Sequence, residues 1–269
     1  MKKNRLIPVL LLRNGWLVQS KQFKRYQNLG NPISAVKRLS EWASDELVYL
    51  DISADDSHDL NRDDLGHPNR ASFCEIIEDV AKVAHMPITV GGRIRTLQDI
   101  EKRLALGADK VSLNTQALET PVFIAEAAKE FGSQCVVISI DVKKQPDGGD
   151  LVMSHAGKRP TTLAPPDWAK RVEDAGAGEI LLNSVDRDGM RNGYDLALLG
   201  AVADTVRIPV IALGGVGEWE HMAEALRGTR VDAVAAANIF HYTDQSVYLA
   251  KKHLAAQGLN VRSPDLIDL

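Results

Sequence analysis

Short apolar runs alternate with amphipathic stretches along the whole chain. Eight runs are apolar nearly throughout and predict buried β-strands: Leu6–Leu12, Leu47–Ile52, Ile88–Val90, Val111–Leu113, Val136–Ile140, Ile180–Ser184, Val210–Leu213 and Ala233–Ala237. Helical spacing lies between them, in Ser34–Trp42, Phe73–Val83, Val122–Phe131 and Trp168–Asp174. Buried strands that alternate with helices predict an α/β fold, a single (β/α)8 TIM barrel, with an open doubly wound sheet as the alternative.

Two of the predicted strands end in the same short pattern. MPITVGG (Met86–Gly92) and IPVIALGG (Ile208–Gly215) each contain a proline, an apolar run and a Gly-Gly pair. The copies lie about 120 residues apart, which favours the barrel over the open sheet and indicates two half-barrel repeats. We therefore predict one domain over residues 1–269, with half-barrels at roughly 1–131 and 132–269.

Two segments are longer than minimal barrel loops. Gln145–Pro160 contains Asp-Gly-Gly between extended runs and predicts a hairpin inserted after the fifth strand. Ser53–Arg70 is polar and carries five acidic residues, namely Asp55, Asp56, Asp59, Asp63 and Asp64. It is either a solvated loop or a lid or partner-docking segment, because a loop after a barrel strand emerges on the catalytic face.

Composition narrows the function classes. A formal charge of −4 with no basic run argues against nucleic acid as a partner. No stretch is apolar for long enough to span a bilayer, and the N-terminal apolar run lacks a signal-peptide cleavage site. Cys74 and Cys135 lack metal or redox spacing and are expected to be buried reduced thiols. These features indicate a cytoplasmic enzyme or enzyme subunit, for which we expect no metal and no cofactor.

Carboxylates at the ends of the predicted strands are the candidate catalytic groups. They are Asp51, Asp141, Asp186 and Asp188. Asp141 ends an apolar strand, where a carboxyl has a raised pKa suited to general acid or base work; the alternative is a carboxylate that caps a turn. When the halves are superposed by sequence, Leu6–Leu11 matches Val136–Asp141, so Leu11 stands where a second carboxylate would complete a symmetric pair.

Small and polar residues at other strand ends predict two phosphate sites. The first set is Gly91, Gly92, Asn114 and Thr115; the second is Gly214, Gly215, Ala237 and Asn238, beside the Asp188-Gly189 turn. Glycines at a strand end let the backbone approach an anion closely. At the opposite ends of the strands lie Arg5, Glu46, Lys110 and Glu179. They are either solvated rim residues or a closed ionic ring that acts as a plug or gate.

The chain resembles the cyclase subunit of imidazole glycerol phosphate synthase over nearly its full length. The matching segments are DELVYLDIS (Asp45–Ser53), VGG (Val90–Gly92), GADKVSLNT (Gly107–Thr115), FGSQCVV (Phe131–Val137), GAGEILLNSVDRDG (Gly176–Gly189) and NVR (Asn260–Arg262). The resemblance implies a lyase barrel that takes ammonia from a glutaminase subunit, docked at its N-terminal face as a heterodimer, and delivers it to a phosphorylated substrate at the top. It implies that Arg5, Glu46, Lys110 and Glu179 form the ammonia gate and that Asp141 is one of two catalytic aspartates.

Several positions depart from this family pattern. Leu11 replaces the other catalytic aspartate, Arg93 replaces a glycine of the first phosphate site, and Gln19 replaces a mobile-loop lysine. Asn183 and Leu213 replace small hydroxyl residues near the substrate. LLLRNG (Leu10–Gly15) is similar to a divergent branch associated with sugar amidation in surface polysaccharide synthesis.

The branch resemblance predicts a role in ammonia supply. In that branch the barrel is thought to deliver ammonia to a separate amidotransferase acting on an N-acetyl sugar nucleotide, which would make the acidic Ser53–Arg70 loop a candidate docking surface. The alternatives are a cyclase in histidine biosynthesis and a phosphosugar isomerase of the same superfamily.

Overall fold

The computed structural model describes residues 3–263, apart from 55–57, 59, 61–62, 65–66, 147 and 242–245. Its strands are β1 (Arg5–Arg13), β2 (Trp16–Lys21), β3 (Arg25–Gly30), β4 (Leu47–Asp51), β5 (Asp63–Asp64), β6 (His67–Pro68), β7 (Ile88–Gly91), β8 (Lys110–Leu113), β9 (Val136–Lys144), β10 (Asp150–Ser154), β11 (Arg159–Pro160), β12 (Glu179–Ser184), β13 (Val210–Leu213) and β14 (Ala233–Ala236). Its α-helices are α1 (Pro32–Glu41), α2 (Phe73–Val83), α3 (Leu97–Ala105), α4 (Thr115–Glu119), α5 (Val122–Phe131), α6 (Pro165–Asp174), α7 (Leu196–Ala203), α8 (Trp219–Gly228) and α9 (Val247–Ala256), with short 3-10 helices at Ser133–Cys135 and Ile239–His241.

Eight parallel strands close into a barrel. Their order is β1-β4-β7-β8-β9-β12-β13-β14, and β14 pairs back with β1. The predicted TIM barrel is therefore confirmed, and the open doubly wound sheet is wrong. Each predicted strand corresponds to one barrel strand, and the predicted helices Phe73–Val83 and Val122–Phe131 have the bounds of α2 and α5. The half-barrel boundary at 131 and 132 stays a prediction.

The first strand of each half continues beyond the barrel as an antiparallel arm. The first arm, β2 and β3, extends β1 and folds back at Asn14 and Gly15, whose φ angles of 54° and 82° suit a tight hairpin turn. The second arm, β10 and β11, extends β9 and confirms the hairpin predicted within Gln145–Pro160. Both arms rise above the ends of the strands where barrel enzymes place their working residues.

Helix ends are fixed by local side chains. Ser72 caps α2 by accepting a hydrogen bond from the N–H of Glu75, and Thr96 with Asp99 forms a reciprocal capping box on α3. Such caps satisfy backbone donors that the first helical turn leaves unpaired. Helix α2 buries Phe73, Ile76, Ile77 and Val80 against the barrel, and Val83 is half-buried.

The apolar core has two layers. The larger lies between the strands and the helices, and the smaller fills the inside of the barrel with side chains such as Ile7, Val48, Val137, Leu181 and Ile211. Successive strand residues face opposite sides, so one apolar strand supplies both layers. Within the described ranges, no helix is long and apolar enough to cross a membrane.

Candidate functional site

The two halves of the barrel pair their strands in the same register. We call β1, β4, β7 and β8 the first half, and β9, β12, β13 and β14 the second half. Leu11 lies opposite Leu50 in the first half, as Asp141 lies opposite Asn183 in the second. Leu50 in turn pairs with Gly91, and Asn183 with Leu213. Leu11 therefore occupies the position equivalent to Asp141, as the sequence superposition predicted.

The same ladders correct the alignment of the glycine pairs. Because Gly91 is equivalent to Leu213, Gly92 corresponds to Gly214 and Arg93 corresponds to Gly215. On the neighbouring strand, Asp51 follows Leu50 as Ser184 follows Asn183, so Asp51 corresponds to Ser184. We call the carboxyl ends of the barrel strands the mouth and the amino ends the floor.

Asp141 lies in the mouth and is held by two amide side chains. Asn183 Nδ2 donates to Asp141 Oδ1 at 3.3 Å, and Asn114 Nδ2 donates to Asp141 Oδ2 at 3.1 Å. Burial, with a smaller contribution from nearby Asp188, raises the pKa of Asp141 to about 7, although the two amide hydrogen bonds act in the opposite direction. A carboxyl with this pKa can hold and release a proton near neutral pH.

The equivalent position in the first half is apolar. Leu11 packs inside the barrel with Val18 of the first arm, and the partly buried Tyr26 and Leu50 pack against the same cluster. The Tyr26 hydroxyl donates to the Phe23 carbonyl at 3.0 Å, and the guanidinium of Arg13 lies 4.9 Å from the Tyr26 ring centre. The first half therefore offers no proton-transfer group where the second half has Asp141.

A pocket in the second half contains the residues predicted for phosphate. It is lined by Asp188, Gly189, Leu213, Gly214, Gly215, Val216, Ala236, Ala237 and Asn238. A Cβ on Gly215 would lie 2.1 Å from the Gly193 carbonyl oxygen, so only glycine fits there with its φ of 101°. The structure thus brings Asp188, Gly189, Gly214, Gly215 and Asn238 together, as expected for one site.

The first arm is docked on this pocket, a feature that the sequence analysis missed. Ser20 Oγ donates to Asp188 Oδ2 at 2.6 Å, and the N–H of Gln22 donates to the Asp188 carbonyl at 2.9 Å. Asn238 Nδ2 donates to the Ser20 carbonyl at 2.7 Å. Burial raises the pKa of Asp188, against the lowering effect of the Ser20 hydrogen bond. The Asn14-Gly15 dipeptide before β2 is a hairpin signal that could have revealed the arm.

Gln19 also lies on the first arm. Its Nε2 donates to Gln27 Oε1 at 2.9 Å, which links β2 to β3. A side chain engaged within the arm supports its hairpin rather than reaching into the pocket.

The phosphate residues predicted in the first half are engaged with the protein itself. Arg93 Nη2 donates to Asp51 Oδ2 at 2.6 Å. Thr115 Oγ1 accepts a hydrogen bond from the N–H of His155 in the second arm at 3.0 Å. Asn114 Nδ2 donates to Asp141 Oδ2 at 3.1 Å, so this amide is engaged with the carboxyl of the second half. The predicted residues of this half are therefore distributed over separate internal contacts.

The four charged residues of the floor form a closed ring. Arg5 donates through Nη1 to Glu46 Oε1 at 2.6 Å and through Nη2 to Glu179. Lys110 Nζ donates at 3.0 Å to Glu46 and at 3.0 Å to Glu179. Burial alone would raise the pKa of Glu46, but Arg5 and Lys110 hold it below its ordinary value. Cations and anions alternate, which confirms the ring geometry and contradicts the solvated-rim alternative.

Apolar side chains separate the ring from the mouth. Ile7, Val9, Val48, Val137 and Ala233 belong to the inner core layer between them. Arg5, Lys110 and Glu179 are the first residues of their strands, and Glu46 precedes β4 by one residue. These side chains carry no charge, so a charged molecule would have to shed its hydration to lie among them, whereas a neutral one would not.

Other predicted features are only partly described. Asp55, Asp56 and Asp59 lie outside the described residues, and the side chains of Asp63 and Asp64 in β5 are likewise not described. Asp186 accepts from the N–H of Lys144 at 2.8 Å and so supports the second arm rather than Asp141. Cys74 and Cys135 are free, and they are half-buried rather than fully buried. Across the described ranges, no group of three or more His, Cys, Asp or Glu residues could hold a metal ion.

A family model described as histidine biosynthesis protein matches residues 5–246 of the 269. The match includes all eight barrel strands, both arms, the floor ring and the second-half pocket.

Proposed function

We propose, because the chain belongs to the histidine biosynthesis protein family, that it is the barrel subunit of a glutamine amidotransferase. A glutaminase partner docks at the floor, ammonia enters through the ring of Arg5, Glu46, Lys110 and Glu179, and the mouth binds a phosphorylated ligand. The ammonia serves the amidation of an N-acetyl sugar for surface polysaccharide synthesis, through a separate amidotransferase.

The observation that carries this proposal is the closed floor ring. A buried ring of four charges is costly to desolvate and is weak evidence for a purely stabilising role. The ring side chains keep 6% to 21% of their surface exposed, so the ring borders the floor surface. The apolar interior behind it suits neutral ammonia better than ammonium.

The mouth supports delivery of ammonia to another enzyme over chemistry in the barrel itself. Asp141 has the pKa of a proton-transfer group, but Leu11 occupies the equivalent position across the mouth. A reaction that needs an acid and a base at once would lose about 10²–10⁴-fold when one of them is replaced by leucine.

Docking at the floor is tested with a purified glutaminase subunit from the same source. We expect a one-to-one complex by analytical ultracentrifugation, with faster glutamine hydrolysis than the glutaminase shows alone. Lys110→Met removes a ring cation and is expected to weaken the complex by at least about tenfold. Lys24→Met, which removes an exposed cation on the first arm at the opposite face, should leave it unchanged. Failure of the wild type to bind or stimulate the glutaminase overturns the proposal.

The second candidate is the cyclase reaction of histidine biosynthesis, which the pKa of Asp141 of about 7 favours. It is tested by supplying the imidazole-pathway bisphosphate substrate with excess ammonium to the wild type and to Leu11→Asp. Turnover by the wild type would establish a cyclase and remove the ammonia-delivery reading. No product from the wild type, with or without rescue by the aspartate, excludes the cyclase.

A further inference from the structure

We propose that Arg93 and Asp51 close the first-half phosphate site, so that the mouth selects ligands with phosphate at one end only. The inference rests on the proposed function in one respect, namely that the second-half pocket binds phosphate. It makes Arg93 a residue that determines specificity rather than a phosphate ligand.

Arg93 lies at a position that is glycine in the other half. The strand ladders place it where the second half has Gly215, and its φ of 52° is left-handed like that of its glycine counterpart. The positive φ of this loop position is therefore kept, but a guanidinium now extends from it. Its side chain is turned toward β4 and pairs with Asp51 at 2.6 Å.

Asp51 is buried and accepts several hydrogen bonds. Its side chain is 1% exposed. Besides Arg93, it accepts hydrogen bonds at Oδ1 from the Ser53 N–H at 3.0 Å and from Ser53 Oγ at 2.5 Å. The carboxylate is thus fully provided with donors and neutralises the guanidinium. A phosphate entering here would have to displace a buried carboxylate from its partners and would be repelled by it.

The other phosphate-site candidates of the first half also form hydrogen bonds with the protein itself. Thr115 Oγ1 accepts from the His155 N–H, and Asn114 Nδ2 donates to Asp141 and to the Ser139 carbonyl at 3.0 Å. In the second half, the positions equivalent to Arg93 and Asp51 are Gly215 and Ser184, neither of which is charged. A bisphosphate that spans the mouth would leave one phosphate facing a neutral, buried ion pair, and it would gain little over a monophosphate.

The experiment is phosphate stoichiometry by isothermal titration calorimetry with inorganic phosphate. We expect one phosphate per wild-type chain and two per chain of the double variant Asp51→Ser/Arg93→Gly, which gives the first half the second-half residues at these two positions. Arg95→Ala is the matched control, because Arg95 is an exposed arginine two residues away, and it should still bind one. Gly215→Ala should bind none, because its Cβ would lie 2.1 Å from the Gly193 carbonyl oxygen.

The outcomes separate the two proposals. Two phosphates on the wild type, or loss of the phosphate in a folded Arg93→Ala variant, would overturn the closure while leaving a phosphate-binding mouth. A folded double variant that binds only one would also overturn it. No phosphate on the wild type would instead remove the phosphate-binding part of the proposed function.

A second probe needs no new site to form. Glucose 6-phosphate and fructose 1,6-bisphosphate should bind the wild type with Kd values within about threefold of each other, a difference below 1 kcal/mol. A preference of tenfold or more for the bisphosphate would overturn the inference.

Discussion

The two halves of the mouth share one backbone pattern and differ in their chemistry. In the second half, Asp141 is held by amides and a glycine-lined pocket lies beside it. In the first half, Leu11 packs into the inner core and Arg93 pairs with Asp51. The comparison teaches that strand pairing fixes which positions reach the mouth. The side chain at each position then decides the chemistry of the site.

A carboxylate placed at Leu11 would break this comparison most strongly. Leu11 is 8% exposed and packs with apolar neighbours, so Leu11→Asp buries a charge without a partner. We expect the free energy of unfolding, measured with urea at pH 8, to fall by about 3–5 kcal/mol. The introduced carboxyl has a raised pKa when folded, so the loss should shrink as the pH falls. Leu11→Met is the control and should lose less than about 1.5 kcal/mol. Equal stability of the two variants would contradict an apolar first-half mouth.

Asp141→Asn tests the polar half through its pH dependence. The folded pKa of Asp141 is about 7, and the unfolded value is about 3.9. The wild type should therefore lose stability as the pH rises from about 4 to about 7, and the variant should not. The free energy of unfolding of the variant, relative to that of the wild type, should therefore rise by on the order of 2–4 kcal/mol between pH 4 and pH 8. Glu101→Gln, at an exposed site on α3, serves as a control. If the difference in stability between Asp141→Asn and the wild type did not change with pH, the raised pKa of Asp141 would be refuted.

Ser20→Ala tests the docking of the first arm on the second half. Ser20 is 2% exposed and its hydroxyl donates to Asp188 at 2.6 Å. Removing a hydrogen bond to a charged group costs about 1.5–3 kcal/mol. The amide of Gln22, which donates to the Asp188 carbonyl, should exchange faster with deuterium. Exposed Ser34 gives the control Ser34→Ala, and unchanged exchange in Ser20→Ala would show that this contact does not hold the arm.

The smallest expected effect concerns the backbone at Arg93. Its φ is 52°, a left-handed value at which glycine is favoured over alanine by about 1 kcal/mol. Both Arg93→Gly and Arg93→Ala remove the pair with Asp51, so the difference between them isolates the backbone term. Arg93→Gly should be the more stable in thermal or urea unfolding. At Arg95, whose φ is not positive, the order should reverse. If the glycine variant were the more stable at both positions, or the alanine variant at both, a left-handed backbone specific to Arg93 would be contradicted.

Much of the barrel could be predicted from the sequence because its signals are local. Each of the eight apolar runs became a barrel strand, and Asp-Gly-Gly marked the second arm. Asn14-Gly15 is an equally clear local signal for the first arm. The Gly-Gly repeat revealed two related loops but not their offset, since only strand pairing shows that Arg93, not Gly92, is the equivalent of Gly215.

The sequence by itself determined the order of the strands along the chain, the equivalence of Leu11 and Asp141, and the placement of the four floor charges at strand starts. Those conclusions follow from the continuous apolar runs and from superposing one half on the other. Only the tertiary structure decided three contacts: Arg93 pairs with Asp51, the N–H of His155 donates to Thr115, and the first arm packs on Asp188. These partners lie 42, 40 and more than 160 residues apart. Side chains so distant in the chain meet only when the closed barrel brings its strand ends together, and no local pattern encodes which of them will pair.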